Sequence, residues 1–450
     1  MYKSLFRNFF NPFFERVIKR RKVLLYLNFL EKSQNWSYAK LLEFQLCELK
    51  RLLVHAYTNV PFWNNQFRKL GVSVEEAMNY KVFQELPIIN KQIIRENFQQ
   101  MKAVNFKGQV WGKSTGGSTG EPLYFQYTPE SYDWRVAVSK RGYSWAGCED
   151  GIKQAYIWGD DLGKTQFLKQ TKKNLHRCFL RHKYFNCFNF GRQEMERAVK
   201  DMNKFKPEII VGYANPLFNF AKFVRDRKKI NFQLKSIISA AEKLHDFQRK
   251  EIEDVFGCEV FATYGSREFM LIASECEEHC GLHINMENLF VEIIKEDGSP
   301  ALEGEIGEVV VTDLHNFAMP FIRYKIGDMA ISTNKVCPCK RGLPLLADVT
   351  GRSLDMIVSI DGKYIAGEFF PHLMKDYKEV KKFQVLQDKE DHLVVKIIKA
   401  EVFSDSRLNL LKQAILHAVG QKMQVDILFV DDIPLTPSGK YRITVSELNK

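Results

Sequence analysis

Apolar residues recur at helical spacing through the first hundred positions. Phe6, Phe9, Phe10, Phe13, Phe14 and Val17 line one stretch, and the basic run Lys19-Arg20-Arg21-Lys22 follows it. An aromatic face beside a cationic cluster is the pattern of a helix lying on an anionic membrane. Pro12 interrupts it, and the simpler reading is a helix that covers the core of its own domain. Helical periodicity continues over 41–56, and 86–89 reads as a short buried connection. From about 108 the texture is that of an α/β protein: short apolar runs at 157–160, 209–213, 236–240 and 259–263 predict strands, separated by helical stretches at 195–205 and 216–229. Residues 290–333 then turn to strand pairs with glycine turns. The last hundred residues predict a strand at 356–359, a helix near 367–377, strands at 381–387 and 392–398, a helix at 405–419 and a strand at 425–430. A domain boundary is therefore expected between 352 and 353, giving parts 1–352 and 353–450, with 1–105 helical and 274–345 strand-rich.

A chain of 450 residues exceeds one ordinary core, so two or three domains are expected. The 35 phenylalanines imply thick aromatic packing. No apolar run approaches the roughly 20 residues of a spanning helix. The short run at 23–30 is broken by Asn28 and lacks a cleavage site, so no signal peptide is read and a cytoplasmic protein is expected, with the inner membrane surface open through the first helix. Nine cysteines in such a chain read as thiols or metal ligands rather than disulfides. The net charge of +12 would suit nucleic acid, membranes or phosphate substrates. The basic residues are scattered, however, and no nucleic-acid-binding motif accompanies them, which argues against a nucleic-acid partner.

Four motifs carry candidate chemistry. Ser114-Thr115-Gly116-Gly117-Ser118-Thr119-Gly120 is a hydroxyl-rich glycine loop between strand-like flanks. It lacks the following helix and the Gly-Lys-Ser/Thr ending of a Walker loop, yet its backbone N–H groups and hydroxyls could cradle phosphate; alone it would equally be an ordinary hairpin loop. In Tyr264-Gly265-Ser266-Arg267-Glu268 a tyrosine can lie on adenine, and Glu268 can hold Mg²⁺ through oxygen. Asp328, ending Arg323-Tyr324-Lys325-Ile326-Gly327-Asp328, can accept from two ribose hydroxyls, and Arg352 adds a cation. Finally, Pro434-Leu435-Thr436-Pro437-Ser438-Gly439-Lys440 puts a lysine at the tip of a turn.

In this order the motifs resemble the adenylate-forming superfamily of acyl-CoA ligases, adenylation domains and luciferases, and within it the phenylacetate–CoA ligase-like branch that includes capsular-polysaccharide biosynthesis proteins. The resemblance runs from Pro61-Phe62-Trp63 to Lys440. It implies an α/β fold with a large N-terminal domain of mixed sheets and helices and a small, mobile α+β C-terminal domain. It also implies ATP-dependent activation of a carboxylic acid to an acyl-adenylate, then transfer to CoA. Lys440 and Glu268 would be catalytic; residues 114–120, Ala241, Glu242, Tyr264, Gly265, Ser266, Asp328 and Arg352 would hold the nucleotide. The acyl pocket would draw on Tyr143, Tyr213 and Ala240, aromatics and small residues that fit an ordinary core equally well. Two readings compete: transfer of the acyl group to an envelope sugar, and a catalytically silent nucleotide-binding module. Two positions depart from the family pattern. Leu354 stands where the interdomain pivot usually has Asp or Lys, with Asp355 next, and Glu121 stands where many relatives place a phosphate-binding lysine.

Cys276-x-x-His279-Cys280 with His283, and Cys337-Pro338-Cys339, form two loops that could share tetrahedral Zn²⁺. Cys276, His279, Cys337 and Cys339 are the preferred ligands, with His283 or Cys280 as substitutes, and a structural role is expected.

Overall fold

The computed structural model describes residues 2–115, 123–159, 167–227, 230–349, 357–361, 364–365, 369–374, 376–434 and 443–448. The architecture is mixed α/β and divides into two compact units that interleave along the chain. The first comprises Met1–Lys113, Tyr124–Gly151 and Phe261–Arg352; the second comprises Ser114–Leu123, Ile152–Val260 and Ser353–Lys450. No helix among the described residues is long and apolar enough to cross a membrane.

In the first unit the helix Tyr38–Asn59 starts where the Ser37 side chain accepts the Lys40 N–H, the usual repair for an unpaired first-turn donor. Val60 ends it, and Pro61 opens the next helix, Pro61–Lys69. Trp63, fully buried, donates Nε1–H to the Pro320 carbonyl at 3.1 Å. Helices Val23–Ser33 and Pro129–Trp145 pack through Val23, Tyr26, Leu30, Trp134, Ala137 and Val138. A Cβ on Gly142 would lie 2.6 Å from both Leu271 and Ser274, so only glycine lets the second helix approach the strand Met270–Ser274 this closely. The sheet runs in the order Leu289–Ile294, Ile306–Asp313, Tyr324–Ser332, Leu345–Val349, Leu282–Ile284, Met270–Ser274, Glu259–Ser266, with antiparallel registers such as Val291↔Val311 and Val311↔Tyr324. Two fully buried charges here are paired: Arg141 forks onto Glu287 at 2.6 and 3.0 Å. Burial of such a pair is tolerated because Arg141 Nη1 and Nη2 and both Glu287 oxygens are hydrogen-bonded.

The second unit holds parallel strands in the order Ser236–Ala240, Ile209–Tyr213, Gln154–Trp158, His182–Asn186. Every residue of the first two strands is buried, as expected for parallel strands covered on both faces. The helices Arg192–Phe205, Ala214–Arg227 and Asp246–Phe256 accompany them. Its remaining sheet is four-stranded, Gln424–Phe429, His392–Lys399, Val380–Lys389, Thr444–Ser446, with helices Phe369–Met374 and Asp405–Val419. Buried and exposed positions alternate along Val380–Lys389 and His392–Lys399, the mark of a sheet with one wet face. Ile357, Ile365, Phe369 and Phe370 join the same apolar cluster as Phe188, Tyr213 and Leu217, with the Phe188 and Phe369 rings 5.8 Å apart.

Candidate active site and metal cluster

In the first unit, two tyrosine–carboxylate hydrogen bonds bring two of the sequence motifs together. Tyr264 donates its hydroxyl to Asp328 Oδ2 at 3.1 Å, and Tyr324 donates to Glu268 Oε1 at 3.0 Å. The strand carrying Tyr264 shifts register between Tyr264 and Gly265. A Cβ on Gly265 would sit 2.2 Å from the Met270 carbonyl oxygen, so the tight return needs glycine. Ser266 Oγ then accepts the Phe269 N–H at 3.2 Å, closing the turn that directs Glu268 inward, where it is buried. Arg323 belongs to the framework: its guanidinium pairs with Glu292 at 3.1 Å and donates to the Leu86 carbonyl at 2.8 Å.

Three cations beside Glu268 escaped the sequence reading. Lys113 and Arg135 both face the Tyr127 ring, 5.9 and 5.1 Å from its centroid. Burial pushes the Lys113 amine down to about 8; the positive charges of Arg267 and Arg135 push the same way and Glu268 opposes them. Arg135 is buried against Asp313 at 2.5 Å, while its Nε–H finds no acceptor among the described residues. Arg135 is paired with Asp313 and Lys113 feels Glu268, yet three positive side chains gathered in a partly dry site form a setting that suits an anion. The one available signal was Lys113 itself, directly before the glycine loop.

In the second unit Ala241 adopts φ +66°, and Glu242 next to it accepts the Asn215 N–H at 2.8 Å. Gln248 holds Asn215 Oδ1 from its own side chain at 2.8 Å. Burial raises the Glu242 carboxyl to about 7, with the Asn215 hydrogen bonds pulling the other way. Tyr213 and Ala240 are partners in neighbouring strands, and the Tyr213 ring meets Trp158 edge-on at 4.8 Å. Tyr143 packs in the cluster of Val23, Tyr26 and Trp134 of the first unit. Ser114 ends a strand, and Thr115 is buried, its Oγ accepting the Leu123 N–H at 3.0 Å. Gly116, Gly117, Ser118, Thr119, Gly120, Arg352, Leu354, Asp355 and Lys440 lie outside the described residues.

A second cluster lies at the strand-rich end of the first unit. One ligand atom each from Cys276, His283, Cys337 and Cys339 fall within 4.8 Å of one another. Cys276 and Cys337 sulfurs are 3.5 Å apart, and Cys339 Sγ is 3.3 Å from His283 Nε2. With Zn–S near 2.3 Å, tetrahedral geometry puts two sulfurs about 3.8 Å apart, so the donor set fits. His283 Nδ1–H donates to the Leu343 carbonyl at 3.1 Å, leaving Nε2 as the lone-pair nitrogen. Burial lowers this imidazole to about 4, keeping it neutral. The structure groups His283, the named substitute, rather than the preferred His279 with the three cysteines. His279 occupies a positive-φ turn, its Nδ1 3.2 Å from Glu275 and its ring against Phe261. His283 instead sits on a strand registered with Leu345, which tethers the loop bearing Cys337 and Cys339. Cys280 is exposed.

The CapK C-terminal domain model matches residues 357–447. Protein CapK of Staphylococcus aureus is 26% identical over 398 residues, covering 87% of this chain and 86% of that protein. A phenylacetate–coenzyme A ligase of Thermus thermophilus is 24% identical over 440 residues, covering 90% of this chain and 96% of its own. Among solved structures, 2-hydroxyisobutyryl-CoA ligase in complex with 2-HIB-AMP and CoA matches with a TM-score of 0.58 at 20% identity, over 89% of this chain and 88% of that one. The fold is thus that of the adenylate-forming acyl-CoA ligases. The chain's homologues are Protein CapK and phenylacetate–CoA ligases.

Proposed function

We propose that this protein activates a carboxylic acid with ATP and passes the acyl group to CoA. A carboxylate oxygen attacks the α-phosphorus, the bond to the β-phosphate breaks, and pyrophosphate leaves. The CoA sulfur then attacks the acyl carbon and AMP departs. The observation that carries the reading is the meeting of Tyr264, Asp328, Glu268 and Tyr324 beside three cations. Asp328 accepts the ribose hydroxyls and Tyr264 offers its ring to the adenine. Lys113, Arg135 and Arg267 offset the triphosphate charge and supply the positive charge missing at Glu121. Glu268 is the oxygen ligand for Mg²⁺, which when bound would neutralise phosphate charge. Lys440 bridges the carboxylate and the α-phosphate during the first step, and a rotation about 352–355 removes it for the second.

Cys276, His283, Cys337 and Cys339 would hold a structural Zn²⁺ that staples the loops at 276–283 and 337–343. Four protein donors leave no open position for chemistry.

A second reading keeps the adenylation and delivers the acyl group to an amine or hydroxyl of an envelope sugar; it rests on the resemblance of the motifs to capsular-polysaccharide biosynthesis proteins. AMP release from protein, acid and ATP, measured with and without CoA, separates the two. CoA-stimulated release with a thioester product by mass spectrometry is expected. Release indifferent to CoA, with no thioester, would transfer the assignment to the second reading.

A further inference from the structure

We propose that the outward face of the N-terminal helix docks this protein on an anionic lipid bilayer. The run Tyr2–Ile18 is helical throughout, but its winding alternates: α over Tyr2–Leu5 and Asn11–Phe13, π over Phe6–Phe10 and Phe14–Ile18. Its inner face is anchored. Phe6 is fully buried, Asn11 donates to Asp150 at 2.8 Å, and Lys3 pairs with Glu149 at 2.7 Å. The outer face carries Leu5, Phe9, Phe13 and Val17, which are 48, 61, 51 and 57% exposed, with Ile18 at 59% beside them. A four-residue spacing on an uninterrupted α-helix would carry this stripe about 120° round the axis between 5 and 17. The π turns, with their wider i→i+5 closure, hold the winding back and keep the stripe on one side. Solvent gains nothing from such an alignment, and an apolar surface does.

Charge selects the partner. Residues 2–22 contain seven Lys and Arg against the single acid Glu15. Lys3, Arg7, Arg21 and Lys22 tie the segment down through Glu149, Asp133 and Glu130. Arg16, Lys19 and Arg20 are exposed and meet no carboxylate among the described residues, which leaves their charge for a negative surface. An aromatic stripe flanked by cations suits the headgroup boundary of an anionic bilayer, where the apolar face is buried and the basic residues reach phosphates. Each basic residue near such a surface strengthens binding about fivefold. This proposal stands independently of the adenylation reading.

The test is co-sedimentation of the full chain with vesicles of phosphatidylcholine and phosphatidylglycerol at equal parts, against vesicles of phosphatidylcholine alone. Binding to the anionic vesicles, weakened by high salt and at least tenfold weaker to neutral ones, is expected. Phe9→Ser with Phe13→Ser should weaken it at least tenfold, and Arg16→Gln, Lys19→Gln and Arg20→Gln together about a hundredfold, with thermal unfolding midpoints kept as controls. Should the serine pair fail to fold, the charge variant, altered only at exposed positions, decides alone. The proposal is overturned if the parent does not bind anionic vesicles, if neutral vesicles bind equally, or if the folded variants bind like the parent. A lipid-free dimer that the serine pair dissolves, with no vesicle binding, would assign the face to a second copy instead.

Discussion

Asp328→Asn isolates the negative charge that the ribose is proposed to need. The Tyr264 hydroxyl reaches Asp328 Oδ2 at 3.1 Å, and an asparagine oxygen can still accept that bond, so the contact between the two side chains survives. A hydrogen bond to a charged acceptor contributes about 1.5–3 kcal/mol, roughly twice a neutral one. Neutralising the acceptor for two ribose hydroxyls therefore costs about 2–3 kcal/mol, or about 30–150-fold in ATP affinity. Calorimetric titration with a non-hydrolysable ATP analogue reads this directly. Tyr264→Phe supplies the comparison, since it keeps the ring for adenine and removes only the hydroxyl; it should cost a few-fold. If Asp328 served merely to hold Tyr264, both single variants and their combination would weaken binding equally, as expected for groups acting through one shared contact. That pattern, or an Asp328→Asn affinity within threefold of the parent, would refute the ribose assignment.

Lys113→Gln should cut the first half-reaction by about 100-fold, the usual effect of losing one preorganised donor. Parent kcat/KM for ATP should fall as pH rises through about 8, where the amine loses its proton, and the variant should lack that limb; identical profiles would remove Lys113 from the site. Protein purified without chelators should carry one Zn²⁺ per chain by elemental analysis. Cys337→Ser or His283→Ala should lower that content and His279→Asn should not; the reverse would restore His279 as ligand. Glu242 has a raised carboxyl pKa, about 7 against 4.5, so its contribution to stability is full below 4.5 and is lost as pH rises through 7. The span corresponds to about 3 kcal/mol. Glu242→Gln should therefore raise the unfolding midpoint over the parent at pH 8 and match it near pH 4.5; an equal difference at both would contradict the burial argument.

Local signals made much of the framework readable. The helix at 405–419 appears with those bounds because Ser404 caps it, accepting the Arg407 N–H at 3.3 Å. Strands 209–213 and 236–240 were legible as unbroken apolar runs. The strand read at 157–160 instead spans Gln154–Trp158: pairing of Gln154 with both Ile209 and His182 draws a polar residue into the ladder, which no periodicity announces. The π turns of the first helix were equally hidden, since the apolar residues at 6, 9, 10, 13, 14 and 17 also fit α spacing. At the metal cluster, Cys-x-x-His spacing pointed to His279, whereas strand register, a tertiary fact, presents His283. Motif order located Tyr264, Glu268 and Asp328. Lys113, Arg135 and Arg267 come together only through the fold, so a local reading could not group them.

The central claim, activation of a carboxylate through an adenylate, is tested most directly by acid-dependent exchange of labelled pyrophosphate into ATP. The exchange needs only the first half-reaction and no knowledge of the acceptor. A panel of aryl and acyl acids should contain at least one that drives exchange, and Lys440→Ala should abolish most of that exchange while ATP still binds. Exchange by the Lys440→Ala variant at the parent rate, or ATP binding with no exchange for any acid across the panel, would contradict the account.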